Sequence, residues 1–128
     1  MRILRSIMTA LLILIGFAAH QAGAENRFVT LDSIRAWQQE KKDFVLIDVR
    51  DPESFQQEHI PGAINVPAEE NENIAKFRSK QVVLYCWYDG TSSEVAEDLK
   101  GYDVFVLTGG IEGWKARGWK TIGNKVKN

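Results

Sequence analysis

Three short runs of uninterrupted apolar residues constrain this chain more than any other feature: Phe44-Val45-Leu46-Ile47, Val82-Val83-Leu84-Tyr85 and Val104-Phe105-Val106-Leu107. None alternates with polar residues, as a strand with one wet face would. Each therefore reads as a strand covered on both sides. The segments between them read as helices. Thr30 or Asp32 can cap a helix running to about Lys41, and Pro52 suits the first turn of a short helix through Glu58. Pro61-Gly62 turns the chain into a brief strand, Ile64-Asn65-Val66, ended by Pro67, and a modest helix follows from Glu69 to Phe77. Thr91-Ser92-Ser93-Glu94 has the form of a capping box and opens a helix from Ser92 to Lys100, with Gly101 as its C-terminal cap. Gly109-Gly110 leads into a last helix through Trp114 and Ala116, and Arg27–Val29 supplies a short first strand. Strands separated by helices need crossover connections, so the expected class is α/β, a parallel sheet with helices on both faces. Ligands of such sheets bind at the carboxyl ends of the strands. Asp48, Cys86 and Thr108 each directly follow an apolar run and belong on that edge.

The first two dozen residues speak to compartment. Arg2 and Arg5 form a basic start, Ile7–Ala19 is apolar, and Ala22-Gly23-Ala24 places small residues at both positions of a cleavage site. This is the pattern of a secretory signal peptide at residues 1–24, cut before Glu25. The apolar stretch is shorter than the roughly 20 residues that a membrane span needs. The mature protein is therefore expected in a bacterial periplasm, with no membrane association after cleavage. Residues 25–120 are enough for one domain with one core, and residues 121–128 form a polar, basic tail expected to fray. Cleavage removes two arginines from a chain whose net charge is already −1. An acidic balance argues against nucleic acid as a partner.

Export sharpens the meaning of a single cysteine. Cysteines in oxidising compartments usually pair, and a solitary one points to a reactive thiol or an intermolecular bond. The chain has one cysteine and two histidines, of which His20 leaves with the signal. One cysteine and His59 cannot supply a zinc site of the usual kind, so no metal is expected. Cys86 lies where an apolar strand gives way to a helix. The free N–H groups and positive dipole end of a helix N-terminus favour a sulfur anion there.

The segments Asp48-Val49-Arg50-Asp51-Pro52-Glu53 and His59-Ile60-Pro61-Gly62-Ala63-Ile64-Asn65-Val66-Pro67 resemble the first signature of the rhodanese family. Gly109-Gly110-Ile111-Glu112-Gly113-Trp114, with Gly118 after it, resembles the second, and Cys86 lies between them at the family's catalytic position. The chain resembles the single-domain, exported rhodaneses in particular. The resemblance implies a five-stranded parallel sheet and a cysteine that accepts a sulfane sulfur as a persulfide. That sulfur then passes to a thiophilic acceptor, with thiosulfate or an organic persulfide as donor and no cofactor. A low-turnover sulfur relay or a partner-binding module is the second function the resemblance allows.

Within this reading Cys86 is catalytic, and Trp87, Tyr88, Asp89, Gly90, Thr91 and Ser92 form the loop that holds the persulfide or anion. The loop from Cys86 to Thr91 resembles the rhodanese length. Related phosphatases and arsenate reductases have a longer loop ending in arginine, where this chain has Ser92. Asp89 stands where the family commonly has glycine and should repel an anionic donor. Thr91 matches a threonine that ends the loop in some members. Trp87 and Tyr88 offer an apolar rim for an organic or protein-borne donor. Asp48 is read as a loop-orienting acceptor, Arg50 as a brace paired with Glu53, and His59 as a turn and packing residue. Lys115 and Arg117 are the nearest cations in sequence to the second signature.

Overall fold

The computed structural model describes residues 27–124. The signal segment read at residues 1–24 lies outside the described residues. The chain runs through β1 (Phe28–Val29), α1 (Leu31–Gln39), β2 (Val45–Asp48), α2 (Pro52–Gln57), β3 (Ile64–Asn65), a 3₁₀ segment (Ala68–Phe77), β4 (Gln81–Tyr85), α3 (Gly90–Asp98), β5 (Asp103–Leu107) and α4 (Gly110–Ala116). The strands form one five-stranded sheet in the order β1-β5-β4-β2-β3, and every pairing is parallel.

The apolar runs lack alternation because consecutive residues enter two different cores. Leu46, Val83, Tyr85 and Leu107 face α1 and α4, where Ile34, Ile111 and Trp114 cover them. Ile47, Val82, Leu84 and Val106 face the other way, onto Ile74 of the 3₁₀ segment and Val95 and Ala96 of α3. In the register of β2 with β4, Asp48 sits opposite Tyr85. The two strands thus end level with each other at the carboxyl edge, with Cys86 one residue beyond the Asp48–Tyr85 pair.

Three local expectations are corrected. The helix expected from Glu69 to Phe77 is 3₁₀ in character and kinked at Glu70, where φ is −112° and ψ is 26°. The helix expected from Ser92 begins at Gly90, and its N-cap residue, Asp89, makes no side-chain cap. The tail does not fray from its start: Ile122 pairs antiparallel with His59, Thr121 Oγ1 donates to Glu58, and the Asn124 N–H donates to the Gln56 carbonyl.

Candidate active site

Below the cysteine loop lies a buried ion pair. Asp48 is fully buried and Arg50 is 4% exposed. The Asp48 carboxylate accepts the Arg50 backbone N–H at 2.9 Å, Nε at 3.1 Å and Nη2 at 2.8 Å. Arg50 Nη2 also donates to the Glu58 carbonyl at 2.7 Å. The expected partner Glu53 is replaced by Asp48, two residues away, because both side chains turn inward at the end of β2. Burial opposes the Arg50 charge, but the hydrogen-bonded carboxylate outweighs it and holds the guanidinium above its ordinary value. Asn65 ties the segment down by donating from Nδ2 to the carbonyls of Asp48 and Arg50. The Tyr85 hydroxyl accepts the Ile60 N–H, and burial, then the Asp48 carboxylate, push its phenol above the usual range.

Cys86 sits on this platform, 4% exposed. Its thiol donates to the Tyr88 carbonyl at 3.4 Å, and the Ser92 N–H donates to Sγ at 3.4 Å. Ser92 Oγ lies 3.3 Å from Sγ and 3.3 Å from the Asp89 carbonyl. Gly90, Thr91 and Ser92 are the first residues of α3, so their N–H groups have no acceptor within the helix. The N-cap residue Asp89 does not cap them, because its carboxylate is directed elsewhere: it accepts the Gly109 N–H at 2.6 Å. That contact also revises the role of Asp89. It is a strut between the cysteine loop and the second signature, not a bare charge aimed at an incoming donor. A Cβ at Gly90 would meet nothing within 4 Å, so that glycine answers no steric demand.

The first turn of α4 holds the loop from the other side. The Ile111 and Glu112 N–H groups donate to the Cys86 and Trp87 carbonyls at 3.0 and 3.1 Å. These bonds draw the two segments so close that a Cβ at Gly110 would lie 2.5–2.7 Å from the carbonyl oxygens of Cys86, Trp87 and Tyr88. Gly110 also has φ +55°, in the left-handed region. Gly110→Ala should therefore destabilise the fold by ~2 kcal/mol or more, from the left-handed conformation and the displaced carbonyls together. A urea midpoint lowered by less than the equivalent of about 1 kcal/mol would show that the loop gives way easily.

Trp87 is neither wholly rim nor wholly packing. One face of its indole lies on the Arg50 guanidinium, 4.3 Å from ring centroid to Cζ, while the side chain remains 45% exposed. Tyr88 beside it is 65% exposed. His59 stacks on Phe55 at 3.8 Å, and its Nδ1 is 2.7 Å from the Phe55 carbonyl oxygen. Those contacts place it in the turn, apart from the contacts made by Cys86. Sequence reasoning missed Asn65, Tyr85 and the clamp formed by Gly109–Glu112. The paired glycines were the one visible signal of that close approach.

A strand-loop-helix cysteine cradled by a second glycine-rich turn is matched by the family model for the rhodanese-like domain, over residues 30–117. The chain belongs to the rhodanese-like family. It is 34% identical over 101 residues to the thiosulfate sulfurtransferase GlpE of Coxiella burnetii (strain RSA 493 / Nine Mile phase I), an alignment covering 74% of this chain and 94% of the relative. That breadth, with the family match, makes the rhodanese-like chain a sulfurtransferase by class. Among solved structures, the rhodanese-like domain from an Anabaena species aligns with a TM-score of 0.69 at 24% identity, covering 77% of this chain and 80% of that one. A thiosulfate sulfurtransferase from Pseudomonas aeruginosa aligns with a TM-score of 0.71 at 21% identity, covering 80% of this chain but 21% of its own. Both likenesses concern the fold.

Proposed function

We propose that this rhodanese-like protein moves a sulfane sulfur through a persulfide on Cys86, in the periplasm, after loss of residues 1–24. The observation that carries the proposal is the position of Sγ, buried at the start of α3 and touched by the Ser92 N–H. The Cys86 thiolate attacks the outer sulfur of a donor, the S–S bond of the donor breaks, and its remainder leaves with the electron pair. With thiosulfate, the donor named for the Coxiella relative, sulfite departs. The persulfide anion left on Cys86 is stabilised by the N–H groups of the first turn of α3 and the positive end of its dipole, a fixed anion nest. A nucleophile then attacks the outer sulfur and releases the Cys86 thiolate. Oxidation states balance throughout, because sulfane sulfur is passed and not consumed.

Mass spectrometry of the mature protein tests the carrier. Exposure to a sulfane-sulfur donor should add one sulfur atom, removed again by an acceptor thiol or by cyanide; an unchanged mass would overturn the proposal. The compartment is tested separately. In a Gram-negative host the protein should appear in the periplasmic fraction with Glu25 as its first residue, and an intact Met1 in the membrane fraction would refute the signal reading.

The exposed pair Trp87 and Tyr88 favours a second reading, a relay or docking module with little turnover on small molecules. The two readings share the persulfide and differ in the rate with free thiosulfate.

A further inference from the structure

The loop that carries the sulfur also carries two of the exposed large apolar side chains found among the described residues. Trp87 and Tyr88 are adjacent, aromatic and exposed, and they flank a nearly buried cysteine. Tryptophan and tyrosine are the residues most often found at the centre of protein interfaces. Trp87 is also held ready. Its inner face rests on Arg50, which Asp48 and the Glu58 carbonyl fix in place, so little side-chain freedom is lost when a partner covers the outer face.

Charge around this patch indicates what covers it. Because all five strands are parallel, every segment leaving a strand opens on the Cys86 edge, and every segment entering one lies on the opposite edge. In the segments that follow β2, β3 and β4, Asp51, Glu53, Glu69, Glu70 and Glu72 are exposed and Asp89 is half-buried, while of their cations Arg50 is buried against Asp48 and Lys76 stands at the far end of the 3₁₀ segment. The entering segments carry exposed Arg27, Lys41, Lys42, Arg78, Lys80 and Lys100, of which Arg27 pairs with Asp103 and Lys80 with Asp43. The cations nearest the second signature are already engaged: Lys115 with Glu58 and Glu112, and Arg117 with Asp32. The field at the reactive edge is therefore negative, which steers cations toward it and repels anions.

We infer that Cys86 exchanges its sulfur with a basic polypeptide, one presenting a cysteine among Lys or Arg residues with an apolar side chain to cover Trp87 and Tyr88. The inference rests on the persulfide carrier proposed above. The partner's thiolate attacks the outer sulfur of the Cys86 persulfide, the S–S bond to Cys86 breaks, and Cys86 leaves as thiolate and takes up the proton lost by the partner's thiol. The partner ends as the persulfide, with no oxidant or reductant consumed.

Three synthetic peptides of equal length test this, each with one cysteine and one leucine, flanked by lysine, serine or glutamate. With the mature protein loaded from an organic persulfide, kcat/KM at low ionic strength should be at least about tenfold higher for the lysine peptide than for the glutamate peptide, a gap that closes as salt screens the charges. The triple variant Glu53→Lys/Glu69→Lys/Glu72→Lys should shrink or reverse the preference. Equal rates for all peptides, or a preference untouched in the variant, would overturn the inference. Binding is measured independently, with unloaded protein and peptides whose cysteine is replaced by serine, followed by amide chemical shifts. The lysine peptide should shift the Cys86 loop and the glutamate peptide should not; loss of that contrast counts against the docking surface even if loading succeeds. Failure to load sulfur, with peptide binding intact, would instead overturn the persulfide reading alone.

Discussion

Cys86→Ser is expected to leave the fold intact and to remove sulfur transfer, lowering kcat/KM by on the order of a thousandfold or more, as loss of a nucleophile does elsewhere. The fold should survive because the substitution suits the site. A serine hydroxyl can donate to the Tyr88 carbonyl and accept from the Ser92 N–H, as the thiol does at 3.4 Å in each case. The chemistry should not survive. A hydroxyl holds its proton at neutral pH, and oxygen bonded to sulfane sulfur gives no persulfide to pass on. Circular dichroism and the urea midpoint report the first half, and steady-state transfer from thiosulfate to cyanide reports the second. Retained activity in a folded Cys86→Ser protein would move the nucleophile off the only cysteine the chain has.

The contrast between what this sequence announces and what it conceals follows from the range of the interactions involved. The sheet is legible because Leu46 and Ile47 are neighbours that enter opposite cores, which leaves an unbroken apolar run that no half-wet strand would show. The parallel order follows from the helical spacing between such runs. The position of Cys86 is legible for the same reason, since it ends one run. Contacts that depend on two distant segments meeting are not legible. Thr91-Ser92-Ser93-Glu94 has the form of a capping box, yet the helix starts earlier because the loop carbonyls are held by Ile111 and Glu112, twenty-odd residues on. Asp89 shows its charge in the sequence but not its target, the Gly109 N–H. Arg50 looks as though it should meet Glu53 across a helical turn. The helix begins only at Pro52 and the chain bends at Arg50, so Asp48 is the carboxylate that meets it. The tail reads as polar and loose because its anchors, His59 and Gln56, lie more than sixty residues earlier.

Asp48 and Arg50 carry the second large effect. Their side chains are 0% and 1% exposed, so neither charge can turn to water if the other is lost. Removing one partner of such a pair typically costs roughly 3–5 kcal/mol, most of it the desolvation of the charge left behind. The Arg50 Nη1 atom is already buried without a hydrogen-bond partner, so the guanidinium has little to fall back on. Asp48→Ala should therefore lower stability by roughly 3–5 kcal/mol, a large share of what a domain of this size possesses. Replacing both residues by apolar ones of similar bulk, Asp48→Leu with Arg50→Met, should recover most of that loss, since no uncompensated charge remains. Sulfur transfer should not recover with it. The guanidinium is the floor under Trp87, and its bond to the Glu58 carbonyl joins the platform to the turn before His59. A methionine supplies neither. The double variant thus separates two roles that the single variants confound, and urea unfolding read beside kcat/KM distinguishes them. A cost below about 1 kcal/mol for Asp48→Ala would place the pair in contact with water and remove the basis of both expectations. Full activity in the stable double variant would show instead that the cysteine loop is held by Asp89 and the α4 clamp alone.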